Sequence, residues 1–260
     1  CVNKIPGTKH IQDHEESQMR FGEMRLFCGS ASGNLGQEIA DYIRQKTTTH
    51  DDHPVYPHLQ PDSYERTVFS NENLFIQLHE SVRGKDVYLV QTMASPIHDN
   101  IMEMLIMIDA LKRDSAWRIN VVVPYLTYTR SDKKDQPRVP ITARLMANMI
   151  ETAGADRYIT IDLHAGQIQG FFNIPGDALT AFHLLSDYVQ SLNIPDLVVV
   201  ATDLGFAKRG RNWAEKLRVP LAFIEKRRVD NAESPKALSL VGEVEGKNVL
   251  LVDDSIVRGT

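Results

Sequence analysis

Eight short runs of β-branched and aliphatic residues recur along this chain, separated by longer amphipathic stretches. The runs are MRLFCG, LFIQL, DVYLVQ, RINVVVPY, RYITIDLH, DLVVVAT, PLAFIEK and NVLLVDD. Short apolar runs suit strands buried on both faces, and helix-length spacers suit right-handed crossovers between parallel strands. The alternation predicts an α/β fold with mostly parallel sheets flanked by helices.

Three spacers read clearly as helices. GNLGQEIADYIRQ sets Leu35, Ile39 and Ile43 four apart. DNIMEMLIMIDALKR carries methionines all round, which predicts a helix buried on more than one side. PITARLMANMIETAG is bounded by Pro140, suited to a first turn, and by Gly154, suited to the position after the end. Its apolar face is expected along Ile141, Leu145 and Met149. CGSASGNLGQ contains glycines without a phosphate-loop or dinucleotide-binding spacing, so it is a weak nucleotide signal that a tight strand-to-helix turn explains as well. THDDHPVYPHLQPD reads as a long surface loop.

Two related halves are suggested by GKDVYLVQT, from Gly84, and GKNVLLVDD, from Gly246. The expected domains are 24–180 and 181–260, the second incomplete at its C-terminus, preceded by a polar leader or non-native remnant over 1–23. The net charge of −5 implies no general attraction to nucleic acid or anionic membranes. No run of 18 apolar residues is present, so no membrane span is expected. Cys1 and Cys28 do not make a disulfide framework, which favours a reducing, cytoplasmic compartment.

Polar residues gather where the apolar runs stop. VLLV ends in Asp253 and Asp254, followed by Ser255, Gly259 and Thr260. Ligands bind outside the carboxyl ends of strands in open α/β sheets. An acidic pair there suits a vicinal diol such as ribose, and a turn of backbone N–H groups and hydroxyls suits phosphate. Asp162 and His164 share one face if their strand continues, and His164 suits either a metal or a hydrogen bond. Asp203 follows three valines and is a candidate for a sugar or metal. Lys208, Arg209 and Arg211 belong to a basic helix and are mostly solvated in this reading. Arg130, in a polar insertion, suits a purine face and phosphate. Lys226, Arg227 and Arg228 form either a polyphosphate clamp or a surface charge run.

Across about residues 24 to 260 the chain resembles the ribose-phosphate pyrophosphokinase family, most specifically in DNIMEMLIMIDALKR, RSDKKDQPRVPITARLMANMI and DLHAGQIQGFFNIPGDAL. The resemblance implies two phosphoribosyltransferase-like domains, ATP and ribose 5-phosphate as substrates, Mg2+ as cofactor, and a homo-oligomer of dimers assembling to a hexamer. It places Arg130 on adenine and phosphate, Phe69 from a neighbouring subunit on the other adenine face, and Asn71 on the adenine edge. His164 is matched to the ATP magnesium, and Asp203 to the ribose and a second metal. Lys226 and Arg228 match a mobile catalytic loop, Asp253 and Asp254 the ribose hydroxyls, and Ser255 to Thr260 the 5-phosphate loop.

The chain departs from the family pattern at Asn73, usually glutamate, and Ser131, usually glutamine. It has Gly205 and Phe206 where two glycines are usual, so a bulky side chain is expected to crowd the pyrophosphate side. Val257 and Arg258 make VDDSIVRGT look like the loop of glutamine amidophosphoribosyltransferases. Two alternatives therefore stand beside the synthetase reading: a non-catalytic regulatory subunit and a phosphoribosyltransferase.

Overall fold

The structure is a computed structural model that describes residues 22–47, 55–227 and 236–255. It divides into two compact units, with the boundary between Leu179 and Thr180.

The first unit is built on a six-stranded sheet. Its strands are β1 (Met24–Cys28), β2 (Pro61–Asp62), β5 (Asp86–Val90), β6 (Arg118–Val123), β7 (Arg157–Ile161) and β8 (Gly176–Leu179). They lie in the order β2-β1-β5-β6-β7-β8, and every pairing is parallel. The helices are α1 (Leu35–Lys46), α2 (Ile97–Arg113) and α3 (Thr142–Ala153). Side chains alternate across the pleat. Phe27, Val87 and Leu89 join the core under α2 and α3, whereas Leu26 and Val90 pack with Ala40, Ile39 and Ile43 of α1. Covering both faces is what lets the strands be apolar throughout.

A separate antiparallel hairpin, β3 (Tyr64–Val68) and β4 (Leu74–Leu78), packs on α2. That is why α2 buries more than one side. Met104, Met107, Ile108 and Leu111 are fully enclosed, each contributing about 1.5–3 kcal/mol of burial. The methionine pattern is not uniform, since Met102 is half-exposed.

Three local expectations are corrected. The buried face of α3 is Ala143, Met146, Ala147 and Ile150, and Leu145 is exposed. Two alanines let this face approach the sheet more closely than the bulkier stripe would. Pro140 lies outside the first turn of α3, where its carbonyl accepts from the Ser131 hydroxyl at 3.1 Å. Gly154 does end the helix, at φ 120°. In the supposed surface loop, Pro61 and Asp62 pair with β1 and Leu59 is buried.

The second unit carries α4 (Phe182–Ser191), β9 (Leu197–Ala201), α5 (Ala207–Leu217), β10 (Leu221–Arg227), β11 (Lys236–Val241) and β12 (Asn248–Val252). The sheet order is β11-β10-β9-β12. β9 pairs in parallel with β10 and β12, while β11 runs antiparallel on the outer edge. Val199, Ala201 and Val252 pack with Ala214 and Phe206 beneath α5. Phe182 meets Trp213 edge-on at 5.2 Å between ring centres, tying α4 to α5.

Candidate functional site

Each unit gathers candidate residues at the carboxyl edge of its own sheet. In the first unit, β6 and β7 are parallel neighbours, so the loops carrying Arg130 and His164 leave the same edge. The two loops are joined: the Gln167 amide donates to Asp132 Oδ2 at 2.6 Å. Arg130 and His164 are both exposed. The Arg130 loop is fixed from two sides. Thr142 Oγ1 donates to the Tyr128 carbonyl at 3.1 Å, and the Tyr128 hydroxyl lies 2.8 Å from His98 Nε2.

The strand does not continue to His164. It ends at Ile161, and Asp162 adopts φ 47°, a left-handed turn that suits aspartate better than most residues. Leu163 then dips into the core and His164 stands outside it. Asp162 and His164 therefore do not form a strand-face pair.

Phe69 and Asn71 sit in the β3–β4 turn, on a ladder separate from the six-stranded sheet that carries Arg130 and His164. The turn is closed by Phe69 N–H donating to Asn73 O at 2.9 Å and by Asn73 N–H donating to Asn71 Oδ1 at 3.2 Å. Phe69 is half-exposed and leans on Phe75, with ring centres 5.8 Å apart.

The glycine-containing turn after β1 is closed by the protein itself. The Ser30 N–H donates to Glu103 Oε1 at 2.7 Å, and the Ser30 hydroxyl donates to Glu103 Oε2. A carboxylate of α2 thus takes the donors a phosphate would use. Burial pushes the Glu103 carboxyl up, but bonds from Ser30, Arg66 and Tyr64 outweigh this and hold it below the ordinary carboxylate range. Sequence patterning does not single out Glu103. The signal for it is a lone acid inside NIMEMLIM, a stretch that is otherwise buried-type.

In the second unit, Val252 of β12 aligns with Ala201 of β9. Parallel register therefore delivers Asp253 and Asp254 to the same edge as Asp203, one strand away. Asp203 also acts locally, since its Oδ1 accepts the Phe206 N–H at 2.8 Å and closes the turn that leads into α5. Phe206 does not occupy the space above this edge. Its ring is buried in the unit's core, against Val199, Ala201 and Val252, with Arg209 lying 5.6 Å from its centre. Asp253 Oδ1 accepts the Asp254 N–H at 2.9 Å, and both aspartates and Ser255 are half-buried. On the other side of β9, β10 runs past the paired region to Lys226, where its ladder with β11 shifts register. Arg228, Gly259 and Thr260, with Val257 and Arg258, lie outside the described residues.

Among the described residues, no group of three or more His, Cys, Asp or Glu is arranged to hold a metal by itself. The carboxylates of the second edge are hard oxygen donors. They fit a magnesium ion of the kind that keeps water and substrate phosphates as most of its ligands. Burial pushes the Cys28 thiol up to about 11, so it is a neutral packing group. No helix among the described residues is long and apolar enough to cross a membrane.

A family model for the N-terminal domain of ribose phosphate pyrophosphokinase matches residues 24–154. A ribose-phosphate pyrophosphokinase of Wolinella succinogenes is 44% identical over 232 residues, covering 89% of this chain and 70% of the relative. That of Bacillus subtilis is 42% identical over 233 residues, covering 90% and 69%. A crystal structure of phosphoribosylpyrophosphate synthetase from Mycobacterium smegmatis superposes with a TM-score of 0.73 at 39% identity, covering 89% of this chain and 71% of that one.

Proposed function

The chain belongs to the ribose-phosphate pyrophosphokinase family, and from that premise we propose that it transfers the β,γ-diphosphoryl group of ATP to the 1-hydroxyl of ribose 5-phosphate. The products are phosphoribosyl pyrophosphate and AMP. The observation that best supports this reading is the parallel register of β9 and β12, which sets Asp203 beside the Asp253–Asp254 pair at one sheet edge. An acidic edge of this kind accepts hydrogen bonds from a vicinal diol, and charge-assisted bonds are the strong ones.

In this reading the first unit is the ATP side and the second the ribose 5-phosphate side. Arg130 lies along the nucleotide and donates to its phosphates, and Phe69 and Asn71 of a neighbouring copy complete the adenine contacts. Asp253 and Asp254 grip the 2- and 3-hydroxyls, and Ser255, Gly259 and Thr260 receive the 5-phosphate. His164 would hold the ATP magnesium and Asp203 a second metal, each completed by substrate phosphates. When bound, magnesium supplies positive charge against the phosphate oxygens. Arg130, Lys226 and Arg228 add positive charge where negative charge grows as the 1-hydroxyl attacks the β-phosphorus and AMP leaves. Such positioning and electrostatic stabilisation supply most of the rate in phosphoryl transfer. Homo-oligomers built from dimers, a cytoplasmic setting and magnesium dependence complete the proposal.

The burial of Phe206 bears on the rival regulatory-subunit reading, because the bulk at that position is spent inside the unit. AMP release in the presence of magnesium decides the matter. It should require ribose 5-phosphate, and Lys226→Ala should lower kcat by roughly 10²- to 10³-fold with ATP affinity nearly unchanged. AMP release that ignores ribose 5-phosphate, or none at all, would overturn the assignment.

A further inference from the structure

Hairpin β3–β4 shares no ladder with the six-stranded sheet, so beyond its covalent link to β2 through Ser63 its place is set by side chains. Part of that attachment is apolar: Tyr64, Leu74, Ile76 and Leu78 reach the main core. Apolar burial is non-directional and tolerates small sliding. Toward the turn the fit is also loose, since a cavity of about 680 Å³ lies between Arg66, Val68 and Asn73 on the hairpin side and Asp99, Met102 and Ile106 of α2.

What is directional there is one carboxylate. Glu103 is fully enclosed in α2. Its Oε1 accepts the Tyr64 hydroxyl at 3.0 Å and the Ser30 N–H at 2.7 Å. Its Oε2 accepts Arg66 Nε at 2.9 Å and the Ser30 hydroxyl. Tyr64 and Arg66 are two apart on β3 and so present the same face. A buried carboxylate is costly unless its lone pairs are met, and here four donors from two other segments meet them. Such a group has one low-energy arrangement, which fixes both hairpin and turn relative to α2. Arg66 lies three residues before Phe69, so an error in its placement is carried directly to the turn.

We propose that Glu103 is a positioning residue for the nucleotide, locking the hairpin at the height where Phe69 and Asn71 meet adenine. This rests on the assignment of that turn to ATP. The chemistry it serves is recognition of a planar purine, for which a shift of about 1 Å in a stacking ring weakens binding strongly.

The test is steady-state kinetics on the full chain with Glu103→Gln, which keeps the shape but turns an amide N–H2 toward the surrounding donors. KM for ATP should rise about tenfold, with kcat within about twofold and KM for ribose 5-phosphate unchanged. Tyr64→Phe, which removes a single donor, should give the same pattern at about two- to threefold and remains informative if the glutamine variant does not fold. Phe69→Ala is measured alongside. If it raises KM for ATP while Glu103→Gln and Tyr64→Phe do not, or if those two disturb both substrates equally, the positioning role is overturned. If Phe69→Ala and Asn71→Ala leave KM for ATP untouched, the assignment of the turn itself fails, and the inference with it.

Discussion

Strands β5 and β12 begin alike and end differently. Each follows a Gly-Lys pair, and Gly84 and Gly246 both stand at φ 70° in the turn that launches the strand. β5 is central and covered on both faces, and it is followed by Gln91, which is fully buried. The Gln91 side-chain carbonyl accepts from the Ala31 N–H at 3.2 Å, so the residue holds the turn after β1 in place. β12 lies at the sheet margin and ends in the half-buried Asp253 and Asp254. One strand end is closed by protein groups and the other presents carboxylates. A shared strand pattern thus fixes an edge, while the next two residues decide whether that edge is closed by the chain or presents carboxylates, the side we propose for ribose 5-phosphate.

The comparison can be broken at three levels. The largest effect is expected from Asp253→Asn with Asp254→Asn. Ribose 5-phosphate binding should weaken by roughly 10²- to 10⁴-fold, as two charge-assisted bonds are lost, with ATP binding intact by calorimetry. Folding stability should change by less than about 0.5 kcal/mol. Unchanged sugar binding would remove the diol assignment. The converse holds at the other strand end. Gln91→Ala should cost about 1–3 kcal/mol in denaturant unfolding, because it leaves buried partners unmet. Smallest are Gly84→Ala and Gly246→Ala. A Cβ meets nothing within 4 Å at either site, so only the left-handed strain remains, about 1 kcal/mol each by the same measurement. Unequal costs would show that the two turns are not equivalent.

The α/β class and eight strands were legible because short apolar runs announce strands, seven of them in the parallel-paired sheets and LFIQL in the antiparallel hairpin. β2, β3, β8 and β11 were not, each for its own reason. β2 is two residues, one of them Pro61, and β8 opens with Gly176, which packs against the Tyr158 ring where no Cβ would fit. β3 hides its role because Arg66 looks like a solvent residue until Glu103 is seen beneath it. β11 follows a polar stretch without a strong apolar run. Among site residues, the strand ends at Asp203, Asp253 and Asp254 were readable from where apolar runs stop. The fate of Phe206 was not, since sequence gives a ring's volume but not its direction. Glu103 and Gln91 escaped because single polar residues inside apolar patterns show their partners only when distant segments meet.

The turn at Asp162 narrows which letters evolution can write there. Its backbone lies in a region that aspartate, asparagine and glycine enter cheaply and that β-branched residues resist. Exposed positions usually drift freely, yet the direction the chain takes here is itself a constraint. The turn that precedes His164 therefore has a small substitution alphabet on backbone grounds alone.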